Sequence, residues 1–337
     1  MLKQLILVLS LSFVCNSSVQ AFTFKIATLS SDGSVWMKKM RAGAKVIKEK
    51  TENRVSFKFY PGGVMGGDKN VLRKIRFGQL HGTAMTNSSL SDIYPDIQLY
   101  NLILKFRSFE QIDYVRQRMD KHLREGLQNK GLVSFGFSEI GLAYIMSTTP
   151  LYNLADLQQQ KAWAPDRNKI AIQTFKAISI SPIPLALRDV LMGLQTGMIN
   201  TVAGTPTGAL ALQWHTKIKY VTDLPISYVF GVLVLNEKFF KKISAQDQAI
   251  VSEVMAQVAQ DVDKQSRKDN INAIAALKSQ GIEFITVEPG VVNELNNLME
   301  SANQDIIKNS GLTEDLVGQF EKHLLDFAVS SSVTKEP

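Results

Sequence analysis

Four histidines, one cysteine and a run of glycines are where catalysis could be built in this chain, and their spacing does not build it. His81, His122, His215 and His323 are scattered, and no pair has metal-ligand spacing. No Gly-x-Ser-x-Gly elbow occurs. Gly62-Gly63-Val64-Met65-Gly66-Gly67 lacks the Lys-Ser/Thr ending of a phosphate loop and reads as a turn between strand and helix. Without a nucleophile, base, metal set or cofactor motif, the reading is not an enzyme. What remains is recognition of a small molecule. In open α/β sheets, ligands sit beyond the carboxyl ends of the strands. That rule selects residues 30–36, 86–88, 143–144, 163–167, 185–188 and 204–207. Trp36 is either a cleft wall or the anchor of its own helix, and Asn87 either a polar contact or a plain turn residue. Arg167 and Arg188 are the cations within reach, against the default of a solvated surface.

The elements that must position these residues follow a βαβαβ rhythm. Residues 22–29 alternate as a first strand, and 30–34 supply turn and N-cap residues. Met37, Met40, Ala44 and Ile47 share a helical stripe over 35–50. Residues 55–60 form a second strand, broken by Pro61-Gly62-Gly63. A second helix starts near Asp68, with Val71, Leu72 and Ile75 inward and Gly78 at its end. A short strand at 82–86 follows. Residues 132–137, 143–147, 183–185 and 231–235 read as strands; 169–178 and 188–195 read as helices. The rhythm predicts an α/β fold with a mostly parallel sheet. Ser244, with Asp247 three residues on, opens a helical stretch to about Ser279. At 1.5 Å per residue such a helix is roughly 50 Å long, so it is either broken or lies across two domains.

Composition narrows the setting. The chain has 337 residues and a formal charge of +7. Its charges are interspersed, and no basic tract is interleaved with aromatics, so no nucleic-acid partner is indicated. Lys3, the apolar run at 5–14 and Val19-Gln20-Ala21 read as a cleaved export signal over residues 1–21. Phe13 and Val14 are too bulky for lipid attachment at Cys15. Cleavage leaves a chain without cysteine, consistent with a bacterial periplasmic location. No other stretch is long and apolar enough to span a membrane.

Several motifs occur together in order. Residues 59–68, Phe-Tyr-Pro-Gly-Gly-Val-Met-Gly-Gly-Asp, resemble an "fPggqLGge" loop, and residues 72–80 a "leavrlGal" helix. Tyr94-Pro95-Asp96 followed by 104–107 resembles "vPe … lPFlF"; Leu154-Ala155-Asp156-Leu157 resembles "peDLkG". Thr174-Phe175-Lys176-Ala177, Pro182-Ile183-Pro184 and Leu194-Gln195-Thr196-Gly197 resemble "etfkalGanpvpmp … alqtG". From about residue 24 to about residue 320 the chain thus resembles the DctP-type solute-binding proteins of TRAP transporters. The resemblance implies a two-lobed periplasmic-binding-protein fold with a ligand cleft, joined by crossing strands and braced by a long helix. Lobe I would comprise 22–146 plus about 233–272, lobe II 147–232 plus about 273–325, and 326–337 a flexible tail. It implies closure of the lobes around ligand and delivery to membrane permease subunits driven by an ion gradient.

Within that resemblance, Lys161-Ala162-Trp163-Ala164-Pro165 stands where members usually read Lys-Ile-Arg-Val-Pro, with the Arg clamping a substrate carboxylate. Trp163 takes the place of that Arg. Leu142 and Ala143, beside Tyr144, stand where a second Arg is often found; Leu187 replaces an aromatic; about Gly204, next to Thr205, an Asn is missing. Each change removes charge, polarity or bulk, and together they predict an apolar cleft for a hydrophobic or amphipathic ligand. The alternatives are an organic acid clamped by Arg167 or Arg188, a sensor or lipid carrier on the same scaffold, and Trp163 as a core residue. Some TRAP binding proteins that are associated with a tetratricopeptide-repeat partner are similar in lacking the Arg, so the resemblance allows such a partner.

Overall fold

Alternating Phe22, Phe24 and Ile26 make the first strand, because one face of it is buried against helices while the other carries Thr23 and Lys25. The computed structural model describes residues 21–166 and 168–333. The export-signal reading of residues 1–20, the last residues of the tail and Arg167 lie outside the described residues. In chain order the elements are β1 (Phe22–Thr28), α1 (Val35–Lys50), β2 (Val55–Tyr60), α2 (Asp68–Arg76), β3 (Gly82–Thr86), α3 (Phe109–Asn129), β4 (Leu132–Ser147), α4 (Leu154–Gln158), β5 (Trp163–Pro165), α5 (Lys169–Ala177) and β6 (Ile183–Leu185). Then come α6 (Val190–Gln195), β7 (Thr201–Gly204), α7 (Pro206–Ala211), β8 (Tyr220–Thr222), β9 (Ser227–Asn236), α8 (Glu237–Phe240), α9 (Ala245–Ser279), β10 (Glu283–Ile285), α10 (Pro289–Ser310) and α11 (Glu314–Val333). The last helix runs into the segment read as a tail.

An eight-stranded sheet has the order β10-β8-β4-β9-β3-β1-β2, with β7 also paired to β4; β5 and β6 form a separate parallel pair. The expectation of a mostly parallel sheet is corrected. β1 pairs β2 and β3 in parallel, but β9 runs antiparallel to β3 and to β4, and β4 antiparallel to β7 and β8. The two strands expected at 132–137 and 143–147 are one 16-residue strand, β4, with register shifts at Ser134/Phe137 and Glu139/Gly141. Its first half pairs with β9 and its second half with β7 and β8 as well. β4 thus joins β9 on one side to β7 and β8 on the other.

The helices pack as their stripes dictate. Ser34 caps α1 by accepting from Met37 N at 3.2 Å, and Met37, Met40, Ala44 and Ile47 are buried. α1 crosses α9 at Gly43, where a β-carbon would lie 2.5 Å from Val258 Cγ2. α9 starts at Ser244, whose Oγ accepts from Asp247 N at 3.1 Å, and runs unbroken for 35 residues, about 50 Å. The Asp247 carboxylate is not used to close a capping box; it takes the Arg54 fork at 2.9 and 3.2 Å.

Candidate functional site

A cavity of about 900 Å³ opens where β1, β3, β5 and β7 end. Thr28 and Thr86 bring one wall, with Ser30, Ser34 and Trp36 from the start of α1. Trp163, Leu187, Arg188, Gly204 and Thr205 bring another, and the crossing strand supplies Ser138, Glu139 and Ile140. Trp36, Trp163, Leu187, Arg188, Gly204 and Thr205 thus all line one cavity.

Asn87 and Tyr144 are not among the lining residues. Asn87 is fully buried, and its Nδ2 donates to Asn101 Oδ1 at 2.6 Å and to Ile97 O at 3.1 Å. The side chain turns inward because the chain enters a 3-10 turn at Asn87–Leu90 directly after β3. Asn101, unremarked in the sequence, reaches the cavity in its place. Tyr144 alternates to the other face of β4 from Ala143, as the two-residue period of a strand demands, and its burial pushes the phenol above its ordinary pKa.

Trp163 is 3% exposed, and its Nε1 donates to Leu185 O at 3.0 Å across the β5–β6 pair. Its ring meets Trp214 edge-on, 5.4 Å between centroids at 74°. Trp214 also lines the cavity and was missed from sequence; its one signal was being an indole shortly after a selected segment. Gly204 is what admits it. A β-carbon there would lie 2.7 Å from Trp214 Cζ3. The space beside Gly204 is therefore filled by a second tryptophan. Trp163 is both core and cavity wall, packed with Val190, Leu194 and Ile199.

Thr205 caps α7, accepting from Gly208 N at 3.1 Å, and its Oγ1 lies 3.2 Å from Thr207 Oγ1. Thr207 is tied to Asn270 of α9, whose Oδ1 accepts from Thr207 Oγ1 at 3.1 Å and whose Nδ2 donates to Ile140 O at 2.7 Å. Gly141 (φ +131°) makes room: a β-carbon there would fall 2.6 Å from Asn270 Nδ2.

Charge in the cavity is uneven. Glu139 is 1% exposed, and its carboxylate is held by Arg267 Nε at 3.0 Å and Nη2 at 2.9 Å and by Tyr228 Oη at 3.3 Å. Burial pushes Glu139 above the usual carboxylate range, with Arg267 pulling back. Arg267 is spent further on Asp113 at 2.6 and 2.7 Å, and its guanidinium pKa is raised, chiefly by that pair. Of the described lining residues, Arg188 is the one cation. It is more than half exposed, and its Nε lies 3.5 Å from Asp189 Oδ1, long for a charge-assisted hydrogen bond of about 2.7–2.9 Å. Among the described residues no group of three or more His, Cys, Asp or Glu side chains could hold a metal ion, and no helix is long and apolar enough to cross a membrane.

The family model of the DctP bacterial extracellular solute-binding proteins, family 7, matches residues 26–310. The chain belongs to that family. Its members are binding proteins rather than enzymes. The C4-dicarboxylate-binding periplasmic protein DctP of Rhodobacter capsulatus is 23% identical over 68% of this chain and 70% of its own. The sialic acid-binding periplasmic protein SiaP of Vibrio cholerae is 21% identical over 83% and 87%. A TRAP periplasmic solute-binding protein from Desulfovibrio salexigens, solved with orotic acid, superposes with a TM-score of 0.84 at 19% identity, over 90% of this chain and 99% of that one. The two-lobed fold is therefore that of the TRAP binding proteins. These relatives carry acids, which overturns the expectation of a hydrophobic ligand: the alternative weighed beside it, an acid with a relocated cation, is the one they favour.

Proposed function

We propose that this chain is the extracytoplasmic binding component of a TRAP-type transporter, and that it captures a small organic acid in the cavity between its lobes and delivers it to the membrane permease subunits. Export to the periplasm, with loss of residues 1–21, belongs to the same reading. The observation that carries the ligand class is Arg188, the one cation among the described lining residues, exposed and loosely held beside Asp189. A guanidinium with free donors on the rim of a largely apolar cavity suits one carboxylate, bound through two parallel N–H donors. Lobe closure about β4 and β9 would bring that cation out of bulk water, where its attraction for an anion strengthens.

The test is calorimetric titration of the mature protein with succinate, D-glucuronate and phenylacetate. At least one acid binds, and Arg188→Gln weakens it roughly tenfold or more, from the loss of a hydrogen bond to a charged group of about 1.5–3 kcal/mol. Arg188→Lys recovers part of the loss. Unchanged affinity in Arg188→Gln removes Arg188 from the clamp. Growth or uptake that needs this protein together with its permease checks the transport half.

A further inference from the structure

We propose that the face of the protein carrying α2 docks on an anionic lipid bilayer, with a cationic stripe on the phosphate headgroups and Phe77 entering the acyl boundary. The surface is separate from the ligand cavity: none of Lys25, Lys58, Lys69, Arg73, Arg76 and Phe77 lines that space. The inference does not depend on which ligand the cavity takes.

The stripe is on α2. Lys69, Arg73 and Arg76 fall at i, i+4 and i+7, on one side of the helix, and all three are exposed. The other side is anchored, with Val71 and Ile75 buried in one cluster with Ala27 and Leu80. Lys25 and Lys58 extend the charge. They are register partners on β1 and β2, on neighbouring strands about 4.8 Å apart, and both are exposed. Lys25 shares a strand face with Ala27, which packs with α2; Lys58 reaches over the Tyr60 ring, 5.4 Å from its centroid, and Tyr60 packs on the same cluster. The five cations thus belong to the side of the sheet that α2 covers.

Counter-charge is missing there. Between residues 53 and 91 the single acidic residue is Asp68, whose carboxylate receives the Ser89 hydroxyl. None of the five cations forms an ion pair with a described residue. Several exposed lysines elsewhere are matched: Lys45 with Glu49, Lys50 with Glu253, Lys121 with Glu125 and Lys241 with Glu237. The helix dipole favours Arg73 and Arg76 in the last turn of α2, but it opposes Lys69 in the first. Like charges at i and i+4, as in Lys69 and Arg73, weaken a helix, and like charges side by side on paired strands repel. The free protein bears that cost, and an anionic surface relieves it.

The apolar part selects the kind of surface. Val64 and Phe77 stand before and after α2, each 72% exposed, the most exposed large hydrophobics among the described residues. Phe77 directly follows Arg76, the last residue of the stripe. An acidic protein would satisfy the cations and leave the ring in water. A bilayer interface satisfies both, because its phosphates overlie acyl chains.

The experiment is co-sedimentation of the mature protein with vesicles of equal parts phosphatidylglycerol and phosphatidylcholine, against vesicles of phosphatidylcholine alone. The protein should bind the mixed vesicles at low salt, bind the neutral ones at least tenfold more weakly, and be released at about 1 M salt, where the Debye length is roughly 3 Å. Lys69→Gln with Arg73→Gln and Arg76→Gln should weaken binding at least tenfold with little change in Tm, since each basic residue near an anionic surface contributes roughly fivefold. Lys38→Gln with Lys45→Gln and Lys48→Gln removes the same charge from α1, on the other side of the sheet, and should weaken binding far less. Phe77→Trp should shift its emission to the blue on mixed vesicles alone. Absence of binding to mixed vesicles, equal binding to neutral ones, or an equal loss in the α1 variant overturns the inference. A silent Phe77→Trp overturns insertion of the ring. Tighter binding to poly-L-glutamate than to mixed vesicles assigns the stripe to an acidic protein and overturns the bilayer.

Discussion

Replacing Trp163 by alanine should cost the fold more than any other single truncation in the cavity wall. The ring is 3% exposed and packs with Val190, Leu194, Ile199 and Trp214. Truncating a buried large aromatic side chain costs about 3–5 kcal/mol from lost transfer energy and the cavity left behind. The Nε1 bond to Leu185 O, 3.0 Å long, is lost as well, and leaving a buried carbonyl unmatched adds about 1 kcal/mol or more. The expected total is about 4–6 kcal/mol, a Tm lowered on the order of 10 °C. Trp163→Phe separates the two contributions, because it keeps a ring in the slot but orphans Leu185 O; it should lose about 1–3 kcal/mol. The assay is urea unfolding followed by far-ultraviolet circular dichroism, comparing midpoints at equal slope. A loss under 1 kcal/mol for Trp163→Ala would refute the reasoning, for it would mean that the ring touches ligand but holds up nothing.

Three further outcomes are expected. Gly204→Ala drives a β-carbon to 2.7 Å from the Trp214 ring, so the ring must shift; stability should fall by about 1–3 kcal/mol, and the tryptophan emission maximum should move. Asn270→Ala breaks the tie between Ile140 O and Thr207, which should speed hydrogen exchange at the Thr207 and Gly208 amides and cost about 1–3 kcal/mol; exchange unchanged at those amides would dismiss Asn270 as a tie. The Asp247 carboxylate is held below the usual carboxylate range, chiefly by its hydrogen bond from Arg54. A depressed acid pKa contributes stability that is present above the unfolded value, about 3.9, and is lost as pH falls through the folded value. Asp247→Asn should therefore be less stable than the parent at pH 7, and the gap in urea midpoint should close as pH drops below about 4. A gap that stays constant with pH would sink the assignment.

Much of the fold could be read from local sequence, because periodicity and capping are local. The stripe Met37, Met40, Ala44, Ile47 and the cap at Ser34 place α1 by themselves, and Ser244 with the apolar stripe after it places α9. Strand direction could not be read this way. β9 and the long β4 are antiparallel to each other, and that pairing joins residues far apart, such as Ala143 with Ser227. Nothing near Gly141 announces that the strand continues through it; Asn270, more than a hundred residues on, explains why the glycine is there.

The site divides the same way. Sequence alone pointed to the family, since its motifs are a matter of residue type in order. Tertiary structure decided what those residues do. It spent the Trp163 N–H on Leu185, filled the room at Gly204 with Trp214, turned Asn87 into the core, and left Arg188 as the one cation among the described lining residues. A side chain's role is set by its partners, and partners distant along the chain meet only when it is folded.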